Sequence, residues 1–273
     1  MRKFFDRFKP ARLVLAGLLA LCLSTLSFAA SPVLDRVIEN GVLKVAMSAD
    51  QPPFNTLNRS KAPMGYDVDL ANAMAAAMQV KLEIVQLPFG ELMAALQSGK
   101  ADMIMSGMEI TPERTKQANF IGPYTLSGKS MLSTNAVMST VTSGADFNNA
   151  KMRLLALEGS TSATFVTRNL PEASLKTIAN YEEGIQLLIS GEAEAMVADM
   201  PVCKLSILRN PDAGLATLAQ PMSIAPVGIA IASGDQQFEN LVSNYLRTFE
   251  KMGLTGQLHK KWFENSGWIA SMP

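Results

Sequence analysis

The stretch Leu92-Met-Ala-Ala-Leu-Gln-Ser-Gly-Lys-Ala-Asp-Met-Ile-Met105 has the pattern of a short helix, a Ser-Gly stop, a charged turn and a buried strand. A similar unit recurs later as Gly184-Ile-Gln-Leu-Leu-Ile-Ser-Gly-Glu-Ala-Glu-Ala-Met-Val197. Glycine commonly ends a helix because it adopts the left-handed conformation easily. Helix–glycine–strand units also recur by coincidence in α/β proteins, and that alternative stays open. We favour two copies of one unit, which predict two similar lobes.

Strand-like and helix-like segments alternate on both sides of this unit. Leu43–Met47, Lys81–Val85 and Arg153–Leu157 have strand patterns. The alanine-rich segment Asp67–Gln79 has the composition of a helix, with Asp67 as its predicted N-cap. This alternation predicts an α/β fold with largely parallel sheets.

Composition excludes several classes of protein. The chain has 273 residues, of which 48% are hydrophobic, and its 24 basic residues equal its 24 acidic ones, so nothing indicates a nucleic-acid partner. It has two cysteines, Cys22 and Cys203, and one histidine, His259. A Cys/His metal cluster or a Ser-His-Asp triad is therefore not expected. We predict no metal, no cofactor and no catalytic residue.

Residues 1–29 are typical of a secretory signal peptide, with a basic start, an apolar run at Leu13–Leu26 and a Ser-Phe-Ala end. The run is shorter than the roughly 20 residues of a membrane-spanning helix. Leu21 stands where a lipoprotein has a small residue before its cysteine, so we do not expect a lipid on Cys22. We predict cleavage after Ala29 and a periplasmic product with 19 basic and 23 acidic residues, a net charge of −4.

Polar residues follow three of the predicted strands. Ser106–Arg114 follows the first unit, and within it Thr111 can cap a helix. Asp199 follows the second unit, either as a helix cap or as a carboxylate ready for a cation. Glu158-Gly-Ser-Thr-Ser162 follows another strand and can offer backbone N–H groups to a carboxylate or phosphate. Ligands in open α/β sheets bind at the carboxyl ends of strands, so these segments are candidate binding residues.

The segment Ser106-Gly-Met-Glu-Ile-Thr-Pro-Glu-Arg114 resembles the signature of periplasmic polar-amino-acid-binding proteins, the extracytoplasmic solute-binding proteins of family 3. The resemblance extends across the mature chain. The other matching segments, in order, are Pro52-Pro53-Phe54, Gly65–Leu70, Phe120, Pro123-Tyr124, Gly159-Ser160-Thr161, Ala198–Pro201, Val227–Ala230 and Lys261-Trp262-Phe263.

The resemblance implies a type II periplasmic-binding-protein fold, in which two similar α/β lobes are joined by two hinge strands. Residues 30–126 and 224–273 would form the first lobe, and residues 127–223 the second. The crossings would lie near Leu126–Ser130 and Ser223–Val227. The lobes would close around a ligand by a hinge motion.

The resemblance also implies roles for individual residues. Arg114 would grip the α-carboxylate of an amino acid, for which a guanidinium fork is suited. Ser160 and Thr161 would meet the same carboxylate from the second lobe. Asp199 would bind the α-ammonium group, and Gly107 would offer it a backbone carbonyl.

Other positions of the implied site are less typical of the family. Phe89 and Phe54 stand where relatives have apolar pocket walls, although a plain core role is an equal alternative. Gln51 replaces a frequent aromatic residue, and Ser48 replaces a frequent acid. Glu109 stands near the expected ammonium site, as in the arginine-binding branch.

Glu109 bears on the choice of ligand. With Asp199 it would place two carboxylates against one ammonium group, which is costly in a closed cleft. Glu109 would then be protonated, turn to a neighbour such as Lys129, or meet a second positive charge on the ligand. Ser48 and Gln51 argue against a long cationic side chain. We slightly favour basic over glutamine-like ligands.

The resemblance therefore predicts a monomeric, non-enzymatic solute-binding protein that delivers a polar or basic L-amino acid to an ABC permease in the inner membrane. Two alternatives stay open. One is an enzyme on the same fold, such as cyclohexadienyl dehydratase, with Glu109 as a general acid. The other is a periplasmic ligand-sensing module.

Overall fold

The structure is a computed structural model that describes residues 31–139 and 143–273. The signal peptide predicted at residues 1–29 lies outside the described residues. Within the described ranges, no helix is both long and apolar enough to cross a membrane.

Helices and strands alternate along the described chain. The strands are β1 Val42–Met47, β2 Thr56–Leu57, β3 Pro63–Met64, β4 Lys81–Gln86, β5 Met103–Ile104, β6 Asn119–Thr134, β7 Arg153–Leu157, β8 Ser174–Ile178, β9 Ala195–Asp199, β10 Leu215–Thr217 and β11 Ser223–Ile231. The α-helices are α1 Pro32–Asn40, α2 Tyr66–Ala77, α3 Leu92–Gln97, α4 Pro112–Thr115, α5 Asn135–Met138, α6 Thr161–Asn169, α7 Tyr181–Ile189, α8 Met200–Arg209, α9 Gln236–Lys251 and α10 Leu254–His259.

The two copies of the repeated unit have the predicted local structure. In the first copy, α3 ends before Gly99, which has a φ of 71°, and β5 follows. In the second, α7 ends before Gly191, which has a φ of 75°, and β9 follows. Both glycines adopt the left-handed conformation that favours glycine at a helix end.

One curled sheet runs through the molecule in the order β4-β1-β5-β11-β6-β9-β7-β8, and β10 pairs with β6. The pairs of β1 with β4 and β5 are parallel, as are the pairs of β7 with β8 and β9. The strands β6 and β11 between these two groups run antiparallel to their neighbours. The predicted α/β class holds, with two parallel groups that belong to the two lobes and an antiparallel connection between them.

The long strand β6 extends from one parallel group to the other. Its first residues pair with β11, and its residues from Lys129 to Ser133 pair with β9. Between the two groups, Thr125 to Lys129 pairs with Val227 to Ser223 as a two-stranded ribbon. The lobe limits proposed at residues 126/127 and 223/224 fall within this ribbon.

The predicted helix cap at Asp67 is wrong. Helix α2 begins at Tyr66, and Gly65, with a φ of 140°, is its N-cap. A Cβ atom at Gly65 would lie 2.2 Å from the backbone oxygen of Phe54, so only glycine fits there. The fully buried carboxylate of Asp67 instead accepts hydrogen bonds from more distant parts of the chain, and these are described with the site.

Asp235 joins the start of the described chain to helix α9. Its carboxylate accepts hydrogen bonds from the Ser31 hydroxyl and from the backbone N–H groups of Val33 and Leu34, at the start of α1. It also caps α9 by accepting from the N–H of Phe238. One buried carboxylate therefore fixes two helix N-termini, where unpaired N–H groups need acceptors.

Candidate functional site

The loop after β5 forms one wall of a cleft between the two parallel groups. Gly107 in this loop has a φ of 56°. A Cβ atom there would lie 3.0 Å from the amide nitrogen of Gln51 and 3.1 Å from the Phe54 ring. The backbone conformation therefore favours glycine, and a Cβ atom would crowd these two side chains.

Asp67 holds this loop in place from its buried side. Its carboxylate accepts hydrogen bonds from Gly107 N at 2.8 Å, from Asn55 Nδ2 at 2.9 Å and from the Tyr124 hydroxyl at 2.7 Å. Burial raises the pKa of Asp67 to about 6, although these three donors favour the charged form. The carboxylate thus positions the cleft wall from inside the first lobe.

Arg114 projects from the short helix that ends this loop. Thr111 caps that helix by accepting a hydrogen bond from Arg114 N at 3.2 Å, which confirms the predicted cap. The guanidinium is buried, donates to the Glu109 carbonyl at 2.9 Å and to the Gly159 carbonyl at 3.2 Å, and lies 5.5 Å from the Phe89 ring centre. Burial lowers its pKa, an effect that nearby carboxylates oppose. Arg114 therefore spans the cleft as a desolvated cation.

The second lobe contributes the start of helix α6. The Ser160 hydroxyl accepts a hydrogen bond from Ala163 N at 3.2 Å and so caps the helix. The Thr161 hydroxyl accepts one from the Lys129 ammonium at 2.7 Å. Both hydroxyls line the cleft, and both have a partner within the protein.

Asp199 ends strand β9 on the opposite side of the cleft from Arg114's loop. It occupies the N-cap position of α8, but its side chain makes no capping hydrogen bond. The carboxylate is buried and lies 4.0 Å from the Lys129 ammonium. Burial raises the pKa of Asp199 to about 6, while Lys129 favours the charged form. The sequence allows Asp199 to be either a helix cap or a carboxylate at a cleft, and this geometry fits the carboxylate at a cleft.

Glu109 and Lys129 form a buried ion pair. Lys129 Nζ donates to Glu109 Oε1 at 2.6 Å, and each side chain is 5% exposed. Among the three states considered for Glu109, the structure has the one in which it turns to Lys129.

A small cavity lies where these side chains converge. Its volume is about 10 Å³, close to the minimum that holds one water molecule. The lining residues are Gln51, Phe89, Gly107, Glu109, Arg114, Leu157, Ser160, Thr161, Ser162, Tyr181 and Asp199. The cleft is therefore closed at this point, and its centre combines apolar walls with one basic and two acidic groups.

Comparison with known proteins identifies the family. Residues 43–265 match the model of the bacterial extracellular solute-binding proteins, family 3. The chain belongs to this family.

Individual relatives include binding proteins and one enzyme. The cyclohexadienyl dehydratase of Pseudomonas aeruginosa is 28% identical over 231 residues, which cover 85% of this chain and 86% of that protein. A putative ABC-transporter binding component from Wolinella succinogenes, solved in complex with lysine, is 30% identical with a TM-score of 0.80, over 84% of this chain and 99% of that one. An ancestral amino-acid-binding protein, a precursor of cyclohexadienyl dehydratase, is 34% identical with a TM-score of 0.78 over the same shares. The predicted two-lobe type II fold is confirmed.

The cleft of this solute-binding protein contains all but one of the predicted site residues. Phe54 is the exception. It is fully buried in the first lobe's core, where its ring centre lies 5.2 Å from that of Phe263 in a T-shaped arrangement. Phe89, by contrast, lines the cavity under Arg114. Of the two roles considered for each phenylalanine, Phe54 has the core role and Phe89 the wall role.

Three polar side chains of this region are not among the predicted site residues. Tyr181 lines the cavity, and burial raises its pKa well above the usual value, with the charges of Asp199 and Asp50 adding to this shift. Tyr181 follows shortly after the end of β8. Because ligands in open α/β sheets bind at the carboxyl ends of strands, this position is the signal that could have identified it. Asp50 lies next to Gln51, and burial raises its pKa. Lys129 was considered only as a neighbour of Glu109.

Two neighbouring acceptor oxygens, one of them on the cavity wall, lack a donor. Gln51 Oε1 and Asp50 Oδ1 are buried and have no hydrogen-bond partner among the residues that the structure describes. Buried acceptors without a donor are costly, so they favour a ligand that brings N–H or O–H groups. Across the same described ranges, no group of three or more His, Cys, Asp or Glu side chains could hold a metal ion.

Proposed function

We propose that the protein is the periplasmic binding component of an ABC importer and that it captures an L-amino acid with a polar side chain. The observation that carries this proposal is that Arg114 and Asp199 line one cavity as buried, opposite charges. Neither forms a direct ion pair with the other among the described residues. A buried charge needs compensation. The α-carboxylate of an amino acid would compensate Arg114, and its α-ammonium would compensate Asp199.

Binding would require the lobes to separate, because the closed cavity holds about one water molecule. The ribbon formed by β6 and β11 would act as the hinge. Gly107, Ser160 and Thr161 would complete the amino-acid clamp, as in the roles implied by the family. Gln51 and Asp50 would accept hydrogen bonds from the ligand's side chain. The partner that receives the ligand would be a membrane permease, with the binding protein acting as a monomer.

The proposal is tested by thermal unfolding of the purified mature protein with glycine and with each chiral L-amino acid and its D-enantiomer. A ligand that binds only the folded state at 100 times its Kd adds about 2.7 kcal/mol of stability. We expect at least one L-amino acid to raise the Tm and its D-enantiomer to have little effect. No response to any L-amino acid would contradict the proposal.

A second candidate function is dehydration of a cyclohexadienyl substrate. It is supported by the similarity to the Pseudomonas aeruginosa enzyme and by Asp199, because a buried carboxyl with a pKa of about 6 can serve as a general acid. Incubation with prephenate and with arogenate distinguishes the two functions. Turnover that Asp199→Asn abolishes would favour the enzyme, whereas amino-acid binding without turnover would favour the binding protein.

We also expect export with cleavage after Ala29. The basic start, the short apolar run and the small residues before the junction support this expectation. Amino-terminal sequencing of periplasmic material should begin at Ala30. A full-length product that stays with the membrane would contradict the proposed location.

A further inference from the structure

Lys129 links both lobes through one buried ammonium group. It lies on β6 within the crossover ribbon, opposite Ser223 on one neighbouring strand and Asp199 on the other. Its Nζ donates to Glu109 Oε1 at 2.6 Å and to Thr161 Oγ1 at 2.7 Å. Glu109 belongs to the loop after β5 in the first lobe, and Thr161 begins α6 in the second.

The ammonium also completes a charge balance. The cavity walls contain the carboxylates of Glu109 and Asp199 and the guanidinium of Arg114, and Lys129 contacts this set from the strand. With Lys129 the set has two positive and two negative charges, so a zwitterion enters without changing the balance. Without Lys129, Glu109 would be a buried carboxylate in need of a cation. Asp50 stands outside this set, with no ion pair among the described residues.

We propose that Lys129 is the residue that disfavours cationic ligand side chains. It pairs from within the protein with the carboxylate that a ligand's ammonium or guanidinium group would otherwise meet. A cationic side chain near Glu109 would also be repelled by Lys129, whereas a neutral polar one would not. The inference rests on the proposed function and refines its ligand class towards neutral polar amino acids.

The test uses ligands that match in shape and differ in charge. Arginine and citrulline form such a pair, and their affinities for wild type and Lys129→Met are measured by calorimetry, or by competition with the tightest ligand of the amino-acid screen. Methionine keeps much of the lysine stem and removes the charge. We expect the preference for arginine over citrulline to rise by about 10-fold or more in Lys129→Met, because Glu109 becomes free to bind the guanidinium.

Two further variants keep the result interpretable. Glu109→Gln combined with Lys129→Met removes both charges, so the arginine preference should return to the wild-type value. This double variant leaves no unpaired buried carboxylate at position 109, so it can be measured even if Lys129→Met folds poorly. Lys176→Met changes an exposed lysine on β8 and should leave the preference unchanged. An arginine preference that falls, or that rises less than about 3-fold, in Lys129→Met would overturn the inference alone. Failure of the wild type to bind any amino acid would instead refute the proposed function and the inference with it.

Discussion

Replacing Arg114 with alanine is expected to weaken amino-acid binding by about 30-fold or more. Removing one partner of a buried, hydrogen-bonded charge pair costs about 2–5 kcal/mol. Arg114 is buried, and its guanidinium reaches across the cleft to the Gly159 carbonyl. In the variant, the ligand carboxylate would enter the closed cleft without its main cation. Calorimetric titration with the best ligand of the amino-acid screen measures the loss.

The Arg114 prediction has an internal control. Arg247→Ala removes an exposed arginine of helix α9 and should leave the Kd unchanged. Arg114→Lys keeps the charge but loses the guanidinium fork, so its affinity should lie between those of the wild type and Arg114→Ala. Near-native affinity in Arg114→Ala would mean that the carboxylate binds elsewhere.

Asp199→Asn is expected to lose ligand binding and yet to gain stability at pH 8. Burial raises the pKa of Asp199 to about 6 from an ordinary value of 3.8. The ionised group therefore destabilises the folded state, fully above pH 6 and not at all well below pH 3.8. Asparagine has a similar shape and no charge, so it removes this cost. The binding loss follows because the ligand ammonium loses its carboxylate.

The sign of this effect can be checked by urea unfolding at two pH values. The stability of Asp199→Asn relative to wild type should be about 1–2 kcal/mol greater at pH 8 than at pH 5. Asp212→Asn changes an exposed aspartate and should show no comparable dependence. A relative stability that falls from pH 5 to pH 8 would show that the charged form of Asp199 is favoured in the fold. Retained affinity for the ligand would remove Asp199 from the clamp.

Local sequence patterns predicted the local structure well. Strand β7 has the predicted bounds, and the Thr111 cap follows from a hydroxyl residue placed before a proline. Both glycine stops of the repeated unit occur where the pattern places them. Each of these features depends on residues within a few positions of each other, so the local sequence is sufficient to predict it.

Features that depend on distant partners could not be predicted in the same way. Asp67 was expected to cap a helix because the neighbouring sequence does not reveal that Asn55 and Tyr124 donate to it. The Glu109–Lys129 pair depends on how the loop after β5 packs against the middle of β6, and the sequence alone allows three states for Glu109. Phe54 stands in a motif typical of pocket walls, yet its place in the core is set by packing against a C-terminal aromatic ring.

The contacts of Asp235 bear on the proposed cleavage after Ala29. With that cleavage Ser31 would be the second residue of the mature protein, and its hydroxyl is buried against the Asp235 carboxylate. Trimming two residues further would delete that hydroxyl and leave a buried carboxylate oxygen with fewer donors. The proposed junction would therefore lie a few residues from a contact that joins helix α1 to helix α9. An affinity tag fused directly to Ser31 would crowd this contact.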